Sequence, residues 1–126
     1  MDRQACLKDK GGKYELMYGD CLESDWKQFR KKVPVWQEAY MERLVEEYQA
    51  ILRSKENASE KFWTLEKRIA KDKHNPGVVI DMRRSQMRND IVYLLQYGVI
   101  VLEDLEGFSQ ALQDDVTGIL ESLNRE

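Results

Sequence analysis

The side chains best suited to nucleophilic or metal chemistry are few and widely spaced in this sequence. The chain has two cysteines, Cys6 and Cys21, and one histidine, His74. A structural zinc site takes about four Cys or His ligands, and a catalytic zinc takes at least two His or a His with carboxylates. Cys21 activated by His74 would resemble a cysteine hydrolase, but the acidic neighbour Asp20 disfavours the thiolate. We therefore predict no metal, no cofactor and no catalytic residue.

Adjacent carboxylates, which general acid–base catalysis could use, all fall on the polar sides of predicted helices. They are Glu46-Glu47, Glu103-Asp104 and Asp114-Asp115. A catalytic carboxyl group needs a dry cleft, whereas water solvates groups at such positions. The sequence also has neither a GxxxxGK nor a GxGxxG phosphate-binding loop. These observations predict that the protein is not an enzyme.

Charge is distributed unevenly along the chain. Residues 53–88 carry 10 basic and 5 acidic side chains, whereas residues 89–126 carry 1 basic and 8 acidic. The basic segment brackets one turn, so its cations could converge on an anion or a nucleic acid. The candidate contacts are Lys71, Lys73, His74, Arg83, Arg84 and Arg88. The alternative is that they pair with the acidic last helix, and the sequence pI of 5.3 is low for a nucleic-acid-binding domain.

The periodicity of apolar residues predicts an all-α fold. We expect a single helical domain over residues 14–126, preceded by a mobile N-terminal tail over residues 1–13. Within the domain, short connections favour an antiparallel helical bundle of four main helices plus one short N-terminal helix. The predicted helices span residues 24–32, 34–54, 58–72 and 81–97, with the last beginning near Leu102.

Local signals set these limits. Pro34 should end the short helix and begin the next one, because proline lacks a backbone donor. Asn57, with Glu60 three residues later, has the form of a capping box. Residues 73–77 form a turn in which Pro76 fixes one dihedral angle and Gly77 can take a positive φ. Gly98 should end the fourth main helix in the left-handed conformation.

The segment 82–112 resembles the short helical hairpins of the SHOCT type. A leucine-bearing helix is followed by Gly98-Val99-Ile100 and then by an acidic amphipathic stretch that includes Glu103, Asp104 and Leu105. In that family the hairpin is a small C-terminal module associated with oligomerisation. The resemblance therefore implies a surface for self-association or partner docking.

Bulky aromatic residues of the second and third helices should lie mostly in the core. Phe62 and Trp63 are neighbours, about 100° apart around a helix, so one of them should cover a second surface. The predicted interaction surface consists of Trp63, Tyr97, Val99, Leu102 and Phe108.

The combined expectation is a non-enzymatic module for protein interaction or self-association, with a protein partner or a homodimer. The chain has no apolar run long enough to span a membrane and no signal-peptide pattern at its start, so we expect a cytoplasmic location and no membrane partner. A nucleic-acid-binding accessory protein that uses residues 67–88 is the alternative function. A sensor of apolar small molecules with an aromatic pocket is a further one.

Overall fold

The structure, a computed structural model, describes residues 6–8, 14–18 and 21–124. It begins with a small antiparallel sheet in the order β1-β2-β3, whose strands are β1 Cys6–Lys8, β2 Tyr14–Tyr18 and β3 Cys21–Leu22. Helices dominate the remainder, which confirms the mainly helical fold. The sheet was not predicted, because such short strands give too few residues for a pattern of alternation. Most of the predicted tail, residues 1–5 and 9–13, lies outside the described residues.

The longest element, α1, runs over Glu23–Leu52 without a break, so the predicted end of a short helix before Pro34 is wrong. An interior proline removes one helical hydrogen bond and costs about 3 kcal/mol. The carbonyl group left without that bond belongs to Arg30, which is exposed to water. The buried stripe of α1 continues through the proline, and burial of each large apolar side chain contributes about 1.5 to 3 kcal/mol. Its members on both sides are Trp26, Phe29, Val33 and Trp36.

The second helix, α2, spans Ala58–Asp72, as the sequence predicts. Its start is fixed by Asn57, whose Oδ1 accepts a hydrogen bond from the backbone N–H of Glu60 at 3.0 Å. This contact satisfies one of the amide groups that a helix leaves without a partner in its first turn. A polar side chain in the sequence therefore defines the boundary.

The predicted turn follows α2 and packs against α1. Asn75 accepts a hydrogen bond from the backbone N–H of Gly77 at 2.7 Å and donates one from Nδ2 to the Tyr40 hydroxyl at 3.0 Å. Gly77 does not have a positive φ, contrary to the expectation. Glycine is needed here for space, because a Cβ atom at this position would lie 2.3 Å from the Tyr40 ring.

The chain then runs back along α1 in an extended conformation before α3 begins. A single 3-10 turn, Arg84–Gln86, leads into α3, Met87–Gln96. The predicted start at residue 81 is therefore six residues too early. Arg83 is extended, with φ −132° and ψ 139°, and Ile80 packs against the core from this stretch.

Gly98 ends α3 as predicted, with φ 74°. The N–H of Val99 donates to the Leu94 carbonyl at 2.9 Å, and the N–H of Gly98 donates to the Leu95 carbonyl at 3.2 Å. These two bonds are those of a Schellman motif, which requires a left-handed residue just beyond the helix.

The last helix starts later than predicted. Leu102–Leu105 forms only a 3-10 turn, and α4 spans Gln110–Asn124. Between them Gly107 adopts φ 98°, a conformation that interrupts a helix and suits glycine. The prediction that this helix begins near Leu102 is wrong, since the apolar spacing continues across the interruption.

The start of α4 is held by α1. Ser109 caps the helix, with its Oγ accepting from the N–H of Leu112 at 3.1 Å. Asp25, which is buried, accepts hydrogen bonds from the Ser109 N–H at 2.8 Å and from its Oγ at 2.6 Å. A buried carboxylate in the first turn of α1 thus fixes the position of α4.

The hydrophobic core lies between the first half of α1, helix α3, helix α4 and the connection between the last two. A chain of aromatic rings runs through it, from Trp26 to Phe29, to Trp36 and to Phe108, with centroid distances of 6.0, 6.4 and 6.3 Å. The aliphatic side chains around the rings come from α3 and α4. They include Met87, Ile91, Leu94 and Val116, and Leu105 joins them from the connection between the two helices. In the described part of the chain, no helix is both long and apolar enough to cross a membrane.

Candidate functional site: the α1–α2 hairpin

The second half of α1 and the whole of α2 form a hairpin that extends away from this core. The hairpin buries little: Asp72 is the only buried residue of α2, and Leu44 is the only buried hydrophobic residue of the second half of α1. The bulky aromatic residues of this helix were expected to lie mostly in the core. Instead Phe62 is 62% exposed and Ile69 is 43% exposed. Within the described residues, the apolar stripe of α2 is therefore largely open to solvent.

Polar contacts attach α2 to α1. The Tyr48 hydroxyl donates to Asp72 Oδ2 at 2.6 Å, and Arg68 Nη2 lies 2.6 Å from Glu47 Oε1 and 3.3 Å from Asp72 Oδ2. Removal from water, then the hydrogen bond to Asp72, raises the pKa of Tyr48 to about 12. The hydrogen bond to Glu47 is the main cause of the raised pKa of Arg68. The attachment therefore relies on polar contacts and leaves most of the apolar stripe exposed.

Two grooves meet along the open side of the hairpin. The first, of about 210 Å³, lies between α1 and α2 and is lined mainly by apolar groups that include Met41, Val45 and Ile69. The second is shallower and lies along α2, where Phe62, Leu65 and Ile69 line it. Ile69 and Lys73 border both grooves, so the two surfaces are continuous. We call Met41, Val45, Phe62, Leu65 and Ile69 the hairpin face.

The predicted interaction surface is divided by the structure. Phe108 is 5% exposed and its ring stacks on Trp36, so its inclusion in a surface was wrong. Val99 is partly buried against the core. The three others are exposed but do not lie together: Tyr97 and Leu102 flank the end of α3, and Trp63 is on α2.

Trp63 and Phe62 are both exposed, although only one of them was expected to leave the core. Their rings meet edge to face at 4.9 Å. Trp63 borders a separate depression with Glu56 and Thr64, on another side of α2 from the hairpin face. Tyr93, which no pattern in the sequence singled out, is also exposed and contacts Tyr97 with a centroid distance of 6.0 Å.

The candidate anion contacts do not converge on one site. Arg84 pairs with Glu23 at the start of α1, at 3.0 Å, whereas Asn75, next to His74, contacts Tyr40. The stretch of α1 between Glu23 and Tyr40 spans roughly 25 Å at 1.5 Å per residue. Lys71, Lys73 and His74 are therefore far from Arg84.

The arginines of this set have carboxylate partners. Arg88 Nη1 lies 2.6 Å from Asp115 Oδ2 in α4, which is the pairing with the acidic last helix that the charge distribution suggested. Arg83 lies 2.8 Å from Asp81. These ion pairs compete with an external phosphate for the same guanidinium groups.

A half-buried acid, Asp90, was not found from the sequence. Burial, followed by the nearby charge of Asp81, raises its pKa to about 6, with Arg83 acting in the opposite direction. Its Oδ2 atom is buried and has no hydrogen-bond partner among the described residues. A polar residue at the start of an amphipathic helix gives no signal of such burial.

The adjacent carboxylates singled out as candidate acids and bases are mostly exposed, as predicted for solvated groups. The described residues contain no cluster of three or more potential metal ligands. The side chains of Cys6 and Cys21, on which the cysteine hypothesis depends, lie outside what the structure describes. Comparisons of the chain with protein-family models, curated proteins and solved structures found no match.

Proposed function

We propose that the protein is a non-enzymatic interaction module of the cytoplasm, and that the hairpin face is where a protein partner docks. One observation carries the proposal, which is that α2 is amphipathic but has no buried apolar residue. Helical stability in proteins comes mostly from packing of the apolar face. A partner surface that covers Phe62, Leu65 and Ile69 would supply this packing. The antiparallel bundle expected from the sequence would then be completed by the partner's helices.

The charged residues that border the apolar hairpin face also support this proposal. Contiguous exposed apolar surface with charged residues at its margin is typical of protein interaction sites. The hairpin face has such margins, with Glu38 and Glu42 on α1 and Lys73 on α2, all of them exposed. The resemblance of residues 82–112 to SHOCT hairpins points to docking as well. Tyr93, Tyr97 and Leu102 in that segment would then form a second contact area.

Site-specific photo-crosslinking in cells tests the proposal. A photoreactive phenylalanine analogue at position 62 should give a crosslinked product of defined mass, and Ile69→Lys in the same chain should abolish it. The matched control is the same analogue at position 35, because Val35 is 65% exposed but lies outside the hairpin face. Equal labelling from positions 62 and 35, or a product that is insensitive to Ile69→Lys, would refute the proposal.

The first groove favours a second candidate function, a sensor of apolar small molecules. Its volume of about 210 Å³ and its apolar lining suit a short hydrocarbon chain, which burial would stabilise by about 0.8 kcal/mol per methylene group. A medium-chain alcohol should then raise the melting temperature, with a shift that grows with the logarithm of its concentration above Kd. Val45→Trp, which fills the groove, should remove this shift. No shift in the native protein would exclude this candidate.

The nucleic-acid alternative remains a prediction with less support. Three of the six candidate cations lie at the end of α2 and in the turn after it, and the other three lie in or just before α3, where they pair with carboxylates. A gel-shift signal at low salt that is lost in an Arg83, Arg84 and Arg88 triple alanine variant would favour it over docking.

A further inference from the structure

The charged margins of the hairpin face are arranged in a way that identifies an occupant. The contacts Glu47–Arg68 and Tyr48–Asp72 join α1 to α2. We call their position along the hairpin the crossing level. On the side of that level nearer the connecting turn, Arg53 directly follows the end of α1. On the side farther from the turn, α1 carries Glu38 and Glu42, which are near Met41 and Val45 by helical spacing.

Helix α2 shows the opposite order of charge along the same direction. Glu66 lies on the turn side of the crossing and borders the second groove, whereas Lys73 lies beyond the crossing and borders both grooves. All the charged residues involved are exposed. With increasing distance from the turn, the α1 margin of the hairpin face changes from basic to acidic. Its α2 margin changes from acidic to basic in the same direction.

We infer that the occupant of the hairpin face is a second copy of this chain, related by a twofold axis that runs along the hairpin, with α1 of each copy over α2 of the other. This inference rests on the proposed function and names its partner. A twofold interface must be complementary to itself. In this arrangement Glu42 meets Lys73 of the second copy, and Arg53 meets Glu66 of the second copy.

The apolar residues match in the same arrangement. Val45 is next to the crossing level on α1 and lies over Ile69, which is next to it on α2. Leu52, which is 48% exposed, lies over Leu65 and Phe62 of the second copy on the turn side. The result is a four-helix bundle in which the stripe of each α2 is covered by α1 of its partner, with the charged pairs at the rim setting the register.

Light scattering of the purified full chain over a range of concentrations tests the inference. The native protein should change from monomer to dimer as concentration rises. Ile69→Lys should weaken this association at least about tenfold, whereas Trp63→Ser should leave it within about twofold. These side chains are both exposed on α2 but only Ile69 belongs to the hairpin face. Circular dichroism of each variant establishes that the helices are retained.

Charge reversal tests the arrangement itself. Glu42→Lys and Lys73→Glu should each weaken self-association, since each places like charges opposite one another. An equimolar mixture of the two variants should form a heterodimer. Each contact between position 42 of one variant and position 73 of the other then joins a lysine to a glutamate. Failure of the mixture to associate better than either variant alone would overturn the inference.

The outcome also separates this inference from the proposed function. A native chain that stays monomeric at all concentrations, together with a position-62 crosslink to a protein of different mass, would overturn the second copy and leave the docking module intact. A monomer that gives no specific crosslink would refute both.

Discussion

The two halves of α1 pass through opposite environments. The first half carries Phe29, which is fully buried between two tryptophan rings, and packs on α3 and α4. The second half carries Val45 and Leu52 at nearly half exposure and packs on α2 through polar contacts. Both halves have an apolar stripe at helical spacing. Such a stripe therefore predicts a helix and a surface that becomes buried, but not whether the same chain covers that surface.

The largest expected contrast is between two phenylalanines. Phe29→Ala should lower the free energy of unfolding by about 3 to 5 kcal/mol, because it leaves a cavity in a packed core. Phe62→Ala should lower it by less than about 0.5 kcal/mol in the monomer, since an exposed ring loses little contact. Urea denaturation followed by circular dichroism at low protein concentration measures both. Comparable losses for the two variants would mean that the hairpin end is packed like the core.

A second contrast concerns Asp25, the buried aspartate that joins α1 to the start of α4. Asp25→Ala should destabilise the core end by about 2 to 3 kcal/mol, because the N–H and hydroxyl groups of Ser109 lose their acceptor while remaining partly buried. A double-mutant cycle with Ser109→Ala measures the coupling by urea denaturation. Additive effects of the two substitutions would show that the pair does not hold α4 on α1.

The turn between the two regions gives the third test. Gly77→Ala should cost about 1 to 3 kcal/mol, because the added Cβ atom would overlap the Tyr40 ring and force the turn away from α1. Gly118→Ala is the matched control, since a Cβ atom there meets nothing within 4 Å and alanine favours helix. Thermal unfolding of both variants measures the difference. A Gly77→Ala protein as stable as the control would show that the turn is not tightly packed.

The smallest expected effect depends on pH. The pKa of Asp90 in the fold, about 6, is above the ordinary aspartate value of 3.8 because of burial, so the folded state holds the proton more tightly and stability decreases as pH rises from about 4 to 6. Asp90→Asn should raise the free energy of unfolding at pH 7 by about 1 kcal/mol, after allowance for solvent screening of a half-exposed group, and by nothing near pH 3.

Denaturation curves across this pH range measure the effect. Asp114→Asn controls for the loss of one exposed negative charge on the neighbouring helix. A gain from Asp90→Asn that is the same at pH 3 and pH 7 would contradict the assignment of the pKa shift to burial.

Sequence patterns were sufficient where one residue determines the local backbone. Asn57 caps α2 through its own side chain, and Gly98 ends α3 because it accepts a positive φ. The same patterns gave wrong helix boundaries in two places, where a helix continues through a proline and where an apolar repeat continues across a break between helices. Pro34 lies inside α1 because burial on both sides outweighs one lost hydrogen bond, and Gly107 divides an apolar repeat that continues in the sequence.

The candidate site was predicted only in outline. The sequence indicated a spare aromatic surface on α2 and named Trp63, but it did not select Leu65 or Ile69, and it placed the buried Phe108 on the surface. Exposure depends on which elements of the chain pack against a helix, and that information is not local. The division of the basic residues between two distant places has the same origin.

The amino-acid sequence by itself determined that this chain forms helices, where α2 begins and ends, and where α3 stops, because propensity, capping and glycine conformation act over a few residues. Only the tertiary structure decided that α1 is one continuous helix shared by two regions and that the apolar stripe of α2 is left open. Those outcomes depend on long-range packing, in which α3 and α4 pack on the first half of α1 and α2 packs on the second half.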